Sequence, residues 1–266
     1  MRMFLKLGPR KREFRAVALI PNILTTLALC SGLLALHYTL KGNTERAMAA
    51  VVIAGVFDAL DGRAARLLRV TSTFGAVLDS LSDFLAFGVA PAFIVHQWLG
   101  GPSSKMFGGF ALAAALSYAL CTALRLARFT SGPSKTEKGV EKHFEGMPSP
   151  AAAGAVLVPP MLAYSPVVSW TAPPWAVLLW TFVVAALMVC RVPMFSLKAV
   201  MLGRRAVAPV LLLVGIGVVG MVRDAWLTLV CISGLYVLSI PPTAIRAALA
   251  GPAAEARPPE HGAGGG

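Results

Sequence analysis

The chain has 266 residues, of which 57% are hydrophobic and only 14% charged, and its mean hydropathy is +0.73. Soluble domains carry about 25% charged residues, so this composition excludes an ordinary soluble enzyme and predicts a polytopic helical membrane protein. A net charge of +12 would suggest nucleic acid in a soluble chain. Here cytoplasmic loops and contact with anionic membrane lipids explain it, and no nucleic-acid partner is expected.

Residues 1–15 interleave Arg2, Lys6, Arg10, Lys11, Arg12 and Arg15 with apolar side chains, and Pro9 limits any helix. They predict a short basic segment lying on an anionic leaflet. The apolar run after it is too long for a signal-peptide core and lacks a small-residue cleavage site, so it reads as the first membrane helix. That helix is expected over 16–38, with Pro21 and Asn22 near one end. A second is expected over Thr44–Leu68, capped by Asn43 or Thr44, a third over 74–99 and a fourth over 107–129. After a polar loop, 131–148, four more helices are expected over 150–169, 175–190, 207–222 and 226–249. The fold class is therefore all-α: one transmembrane bundle of about eight helices spanning 16–250, with no internal repeat. Residues 251–266 are rich in Pro, Gly and Ala and predict a disordered tail. The four cysteines each sit in a different apolar run without metal-ligand spacing, and read as small core residues.

With eight helices, both termini share one side, and that side receives all but Lys41, Arg46, Lys105 and Arg223 of the 24 basic residues. The positive-inside rule makes it the cytoplasmic side. A bacterial inner membrane location, with both termini and the site facing the cytoplasm, is the expectation.

Four of the twelve acidic residues, Asp58, Asp61, Asp79 and Asp83, fall within 56–83. An ionised carboxylate at membrane depth costs at least ~2.5–3.5 kcal/mol on insertion scales, so such a cluster marks a functional site. Asp58 and Asp61 lie three apart on one helix face, and Asp79 and Asp83 four apart on the next. The two helices are joined by only a few residues, so they are expected to be antiparallel neighbours with both pairs facing one space. An all-oxygen set without His or Cys suits Mg²⁺ or Mn²⁺, and two such ions make a clamp for phosphoryl displacement. The competing reading is that Arg63, Arg66 and Arg69 simply neutralise the acids, although they lie one or two turns away. Gly62 and Gly75 permit either ligand approach or close helix packing. Arg66 is placed to meet a phosphate, whereas Arg63 and Arg69 can be read as topology signals alone.

The stretch reads Asp58-x2-Asp61-Gly62-x2-Ala65-Arg66-x8-Gly75-x3-Asp79-x3-Asp83. At every fixed position it resembles the signature of the CDP-alcohol phosphatidyltransferase family. The resemblance implies a CDP-linked lipid bound with its diphosphate on metal ions. It implies Asp58, Asp61 and Asp79 as principal ligands, joined by Asp83, which would also be the general base for the acceptor alcohol. Asp61, Gly62, Ala65, Arg66 and Gly75 would line the CDP pocket. Asn22 either hydrogen-bonds the nucleotide or stabilises the backbone freed by Pro21. A homodimer is a further implication of the family.

Outside the signature, 21–25 (PNILT), 125–129 (RLARF), 144–153 (FEGMPSPAAA) and 191–198 (RVPMFSLK) resemble the bacterial phosphatidylserine synthase branch. That branch usually has Asn after its ARF triplet, where this chain has Thr130. The implied substrates are CDP-diacylglycerol and L-serine. The serine carboxylate needs a forked donor, which Arg125 and Arg128 could supply, with Lys142 and Pro148 in the adjoining loop as further acceptor-site candidates. The plainer reading of Lys135, Lys138 and Lys142 is that they mark topology. Pro148, Pro150 and Gly146 shape the start of the fifth helix. His143 could titrate, but nothing gives it a proton to move.

The rivals are the same transfer to glycerol 3-phosphate, inositol phosphate or choline, an intramembrane prenyltransferase, and a divalent-cation transporter. The intact Asp-Gly-x2-Ala-Arg element argues against the prenyltransferase. A transporter needs acids along a path to the far side, and the later helices carry none within their spans.

Overall fold

The structure, a computed structural model, describes residues 19–68, 72–100, 108–131, 146–190 and 207–239. The basic segment 1–15, the tail 251–266, Arg69, Lys135, Lys138, Lys142, His143 and the 191–198 motif lie outside the described residues. Every regular element among the described residues is helical. These are α1 Leu19–Leu40, α2 Thr44–Leu68, α3 Thr73–Asp83, a π-helical turn Phe84–Val89, α4 Ala90–Leu99 and α5 Gly108–Ser131. Then come α6 Ser149–Val156, α7 Val158–Tyr164, α8 Pro174–Val189, α9 Val207–Arg223 and α10 Ala225–Leu238.

Three continuous stretches, Leu19–Leu40, Thr73–Leu99 and Gly108–Arg128, are long and apolar enough to cross a bilayer. Helices α8 and α10 are apolar but shorter. Helix α2 is long enough, but Glu45, Arg46, Asp58, Asp61, Arg63 and Arg66 interrupt its apolar character. Large aliphatic side chains such as Leu33, Leu34, Leu116, Leu120 and Leu179 point outward, as a lipid-facing surface requires.

The second helix keeps its expected bounds. The third runs continuously across the expected span but is π-helical in its middle. The fifth differs more: it breaks at Leu157 and ends at Tyr164. Pro159 and Pro160 explain the break, since neither can donate to the preceding turn.

Small side chains let the helices approach closely. Ala47, Ala54, Ala86, Ala90, Ala111, Ala115, Ala152 and Ala155 are buried together with Met48, Phe87, Tyr118, Met147 and Met188. A Cβ added at Gly32 of α1 would stand 3.0 Å from the Ala86 Cα, so only glycine lets α1 lie against the π turn. At the start of α6, Gly146 has φ +85° and its missing Cβ would collide with the Met188 carbonyl at 2.5 Å. The turn expected there from sequence therefore needs glycine twice, for its dihedral and for its space.

The two acid-bearing helices do not meet as directly as expected. Helix α1 packs along α2 and also against α3 and the π turn. It thus bridges the segments that carry the two aspartate pairs.

Candidate active site

Helix α2 delivers Asp58 and Asp61, and α3 delivers Asp79 and Asp83. Ser72 sets the start of α3: it has extended dihedrals and its hydroxyl accepts the Gly75 N–H at 3.0 Å. That cap satisfies one of the otherwise unpaired N–H groups in the first turn of α3. Oxygens of Asp58, Asp61 and Asp79 come within 4.8 Å of one another. Asp83 stands one turn beyond, with its carboxyl close to that of Asp58.

Asp61 is 5% exposed, yet no cation among the described residues pairs with it. Its Oδ2 accepts the Thr25 hydroxyl from α1 at 2.8 Å, and the same hydroxyl also donates to the Pro21 carbonyl at 3.0 Å. The Ser82 hydroxyl donates to the Thr25 carbonyl at 3.2 Å, so α1 ties α2 to α3 through one residue. The electrostatic neighbours of Asp61, Asp79 and Asp83 include one another and Asp58. Arg66 turns away, with its Nε donating to the Gly62 carbonyl at 2.9 Å. The reading in which arginines neutralise the cluster finds no support among the described residues.

Beside the three carboxylates lies a pocket of about 220 Å³. Asp61, Gly62, Ala65, Gly75 and Asn22, all anticipated from sequence, line it together with Pro21, Thr25, Ser72, Ala76 and Asp79. Arg66 is exposed and is not part of the lining. A Cβ at Gly62 would meet nothing within 4 Å, whereas one at Gly75 would meet Asn22 Oδ1 and Ser72 Oγ, each at 3.0 Å. Gly62 therefore exposes backbone to the pocket, and Gly75 keeps its wall thin. Ser72 and Ser82 were not singled out from sequence, and Thr25 entered only as the last residue of the 21–25 motif. Ser72, just before α3, could have been read as a cap, but the Thr25 contacts depend on how α1 approaches.

The donor set can hold a hard divalent cation. It consists of closely grouped carboxylate oxygens beside an open pocket, without a cationic partner among the described residues. Like charges so placed repel unless positive charge sits among them.

The acceptor candidates are less closely gathered. Arg125 of α5 donates through Nη1 to the Ser149 hydroxyl at 2.8 Å, and its buried Nε has no hydrogen-bond partner among the described residues. It lies within electrostatic reach of Asp83 and Tyr236. Arg128 is exposed, and its Nη1 donates to the Val189 carbonyl at 3.3 Å, clamping the end of α8. Pro148 is half-buried at the cap of α6 and holds that helix beside Arg125 through Ser149. Lys142 lies outside the described residues.

The chain is similar in sequence to known proteins. Residues 18–187 match the family model described as CDP-alcohol phosphatidyltransferase, and 205–241 match CDP-alcohol phosphatidyltransferase 2. A Mycobacterium tuberculosis protein named CDP-diacylglycerol–serine O-phosphatidyltransferase is 32% identical over 235 residues, covering 88% of this chain and 80% of its own. Proteins of the same name from Helicobacter pylori and Methanocaldococcus jannaschii are each 36% identical, over 140 and 143 residues. Each alignment covers 53% of this chain, with 56% of the first relative and 60% of the second. The aspartate signature, the pocket beside it and these matches agree: the chain belongs to the CDP-alcohol phosphatidyltransferase family.

Proposed function

We propose that the chain transfers the phosphatidyl group of CDP-diacylglycerol to the hydroxyl of L-serine, yielding phosphatidylserine and CMP. The observation that carries this reading is the grouping of Asp58, Asp61 and Asp79 within 4.8 Å, beside a pocket sized for part of a nucleotide. Two divalent ions, Mg²⁺ or Mn²⁺, held by these residues with Asp83 would screen the diphosphate and stabilise charge on the leaving oxygen. Asn22, Gly62, Ala65 and Gly75 receive the CDP portion, and Arg66 swings from the Gly62 carbonyl to a phosphate. Asp83 takes the proton of the serine hydroxyl as its oxygen attacks the lipid-side phosphorus. The phosphorus–oxygen bond to CMP then breaks, and CMP departs with that electron pair.

The choice of serine is supported by the names of the relatives and by Arg125. Its Nε, unpaired among the described residues, and its position within electrostatic reach of Asp83 suit a guanidinium that holds the serine carboxylate while the hydroxyl faces the base. Arg128, Lys142 and Pro148 complete the acceptor side. The surrounding architecture is an eight-helix bundle in the bacterial inner membrane, with both termini and the site facing the cytoplasm. It is a homodimer whose basic N-terminal segment rests on anionic lipids.

The test is incorporation of labelled serine by purified protein in detergent with CDP-diacylglycerol and Mg²⁺ or Mn²⁺. Labelled phosphatidylserine with equimolar CMP is the expected result. Transfer to glycerol 3-phosphate, inositol phosphate or choline but not to serine would replace the acceptor. Release of pyrophosphate instead of CMP would replace the reaction class, and metal flux without lipid synthesis would make the protein a transporter.

A further inference from the structure

The segment after Asp83 departs from α-helical geometry, and the sequence explains why. Pro91 has no N–H to close on the carbonyl four residues earlier, that of Phe87, and its ring crowds that oxygen. The chain widens into the π turn Phe84–Val89, which closes with the Ala90 N–H donating to the Leu85 carbonyl. The donor that Pro91 cannot offer comes from another helix. The Tyr118 hydroxyl of α5 donates to the Phe87 carbonyl at 2.8 Å, with Tyr118 0% and Phe87 2% exposed. A buried carbonyl in lipid must be satisfied by such a group, because no water can replace it.

A π turn takes up an extra residue, which rotates the helix before it by about 100° relative to the helix after it. Asp79 and Asp83 lie on one side of this turn and the buried face of α4 on the other. The turn therefore lets the acids face the site while Ala90, Ile94 and Val95 face the core. Tyr118, Thr122 and Arg125 succeed one another along one face of α5. Thr122 donates to the Tyr118 carbonyl at 2.9 Å, and its methyl would stand 3.0 Å from a Cβ at Gly88. The same face thus seats the π turn and carries Arg125 toward Asp83.

We infer that Tyr118 is a positioning residue: its hydroxyl pins the π turn at Phe87 and so sets where Asp83 stands relative to Arg125, the group proposed to hold the acceptor. The inference rests on the assignment of Asp83 as the base. Tyr118 touches neither the carboxylates nor the pocket beside Asp61. Its loss acts on the step in which the acceptor is deprotonated, not on capture of the CDP-lipid.

Tyr118→Phe keeps the ring and removes only the hydroxyl. The expected result is a kcat about 10- to 100-fold lower, the scale of a small misplacement of a reacting group. The KM for CDP-diacylglycerol stays within about twofold. Rates are normalised to the fraction of protein that CDP-diacylglycerol stabilises against heat, so loss of folded protein does not count as loss of kcat. Gly88→Ala leaves the hydroxyl in place but presses Thr122 against the turn, and is expected to give the same pattern more weakly. It serves alone if Tyr118→Phe does not fold. An unchanged normalised kcat in the folded variants, or a KM for the CDP-lipid raised with kcat unchanged, overturns the inference. Asp83→Asn is assayed alongside. Should it keep wild-type kcat, the base assignment falls, whereas an inactive Asp83→Asn beside a fully active Tyr118→Phe removes only the role of Tyr118.

Discussion

Asp61 and Asp224 are each 5% exposed, yet they are satisfied in opposite ways. Asp224, in the turn between α9 and α10, accepts the Leu227 N–H at 2.9 Å through Oδ1 and the Ser165 hydroxyl through Oδ2. It caps α10, and Ser165 in turn accepts the N–H groups of Val167 and Val168. Asp61 accepts only the Thr25 hydroxyl and the Gly62 N–H among the described residues, and otherwise confronts Asp58 and Asp79. A buried carboxylate with its donors supplied by the chain stabilises the fold. One left facing other carboxylates is held there against the interest of stability, which is the physical signature of a ligand site.

The sharpest way to break this comparison is to neutralise one carboxylate of the cluster. Asp79→Asn should lower transfer by about 10²–10³-fold or more, as loss of a group that stabilises transition-state charge does. Its melting temperature without divalent ions should equal or exceed that of the wild type, because a like-charge contact has been removed. Mg²⁺ or Mn²⁺ should raise the melting temperature of the wild type and not that of Asp79→Asn. Removal of divalent ions with a chelator should abolish wild-type activity, and readdition should restore it. A strongly destabilised Asp79→Asn with an intact metal response would make the cluster structural, like Asp224.

Glycine substitutions at the two ends sharpen the same contrast. Gly75→Val places its side chain where Asn22 Oδ1 and Ser72 Oγ already stand 3.0 Å from an added Cβ, at the wall of the 220 Å³ pocket. The KM for CDP-diacylglycerol should rise about tenfold with a smaller change in kcat, as when ground-state binding is lost. Gly220→Ala, whose Cβ would meet Thr228 Oγ1 at 2.7 Å, should instead cost about 1–3 kcal/mol of stability through overpacking and leave both constants unchanged. Steady-state kinetics and thermal melting on the two variants decide it.

How far each end could be read from sequence depends on the kind of interaction that builds it. The aspartates were legible because charge is costly in apolar helices, and fixed i+3 and i+4 spacings set their faces before any tertiary contact exists. Helix α2 was legible to its ends because Asn43 precedes it, Thr44 opens it and no proline interrupts it. The π turn was not read, although Pro91 was visible within the third span. Whether a proline ends, kinks or widens a helix depends on a donor from elsewhere, here the hydroxyl of Tyr118, 27 residues on. The bridge from Thr25 to Asp61 and Ser82 was hidden for the same reason, since nothing local distinguishes Thr25 from Thr26, which only bonds back to Asn22. Asp224 stands just before the apolar run of α10, where a cap belongs, and that local signal went unread.

The smallest effect concerns Asp224 itself. Burial opposes its charge, but the Leu227 N–H, the Ser165 hydroxyl and the N–H groups of Val167 and Trp226 outweigh that penalty and hold its carboxyl below the usual carboxylate range. A depressed folded-state value means the charged form contributes stability above the unfolded value of about 4, and that contribution fades as pH falls through the lower folded value. Asp224→Ala should lower stability by about 1 kcal/mol through loss of the cap, without altering kcat for the folded protein. Asp224→Asn keeps an oxygen for the cap and removes only the charge. Its melting temperature should lie slightly below that of the wild type at pH 7, and the gap should close as the pH is lowered past 4. A gap that instead widened toward acid pH would mean the carboxyl is protonated in the fold, and the two buried aspartates would no longer stand apart.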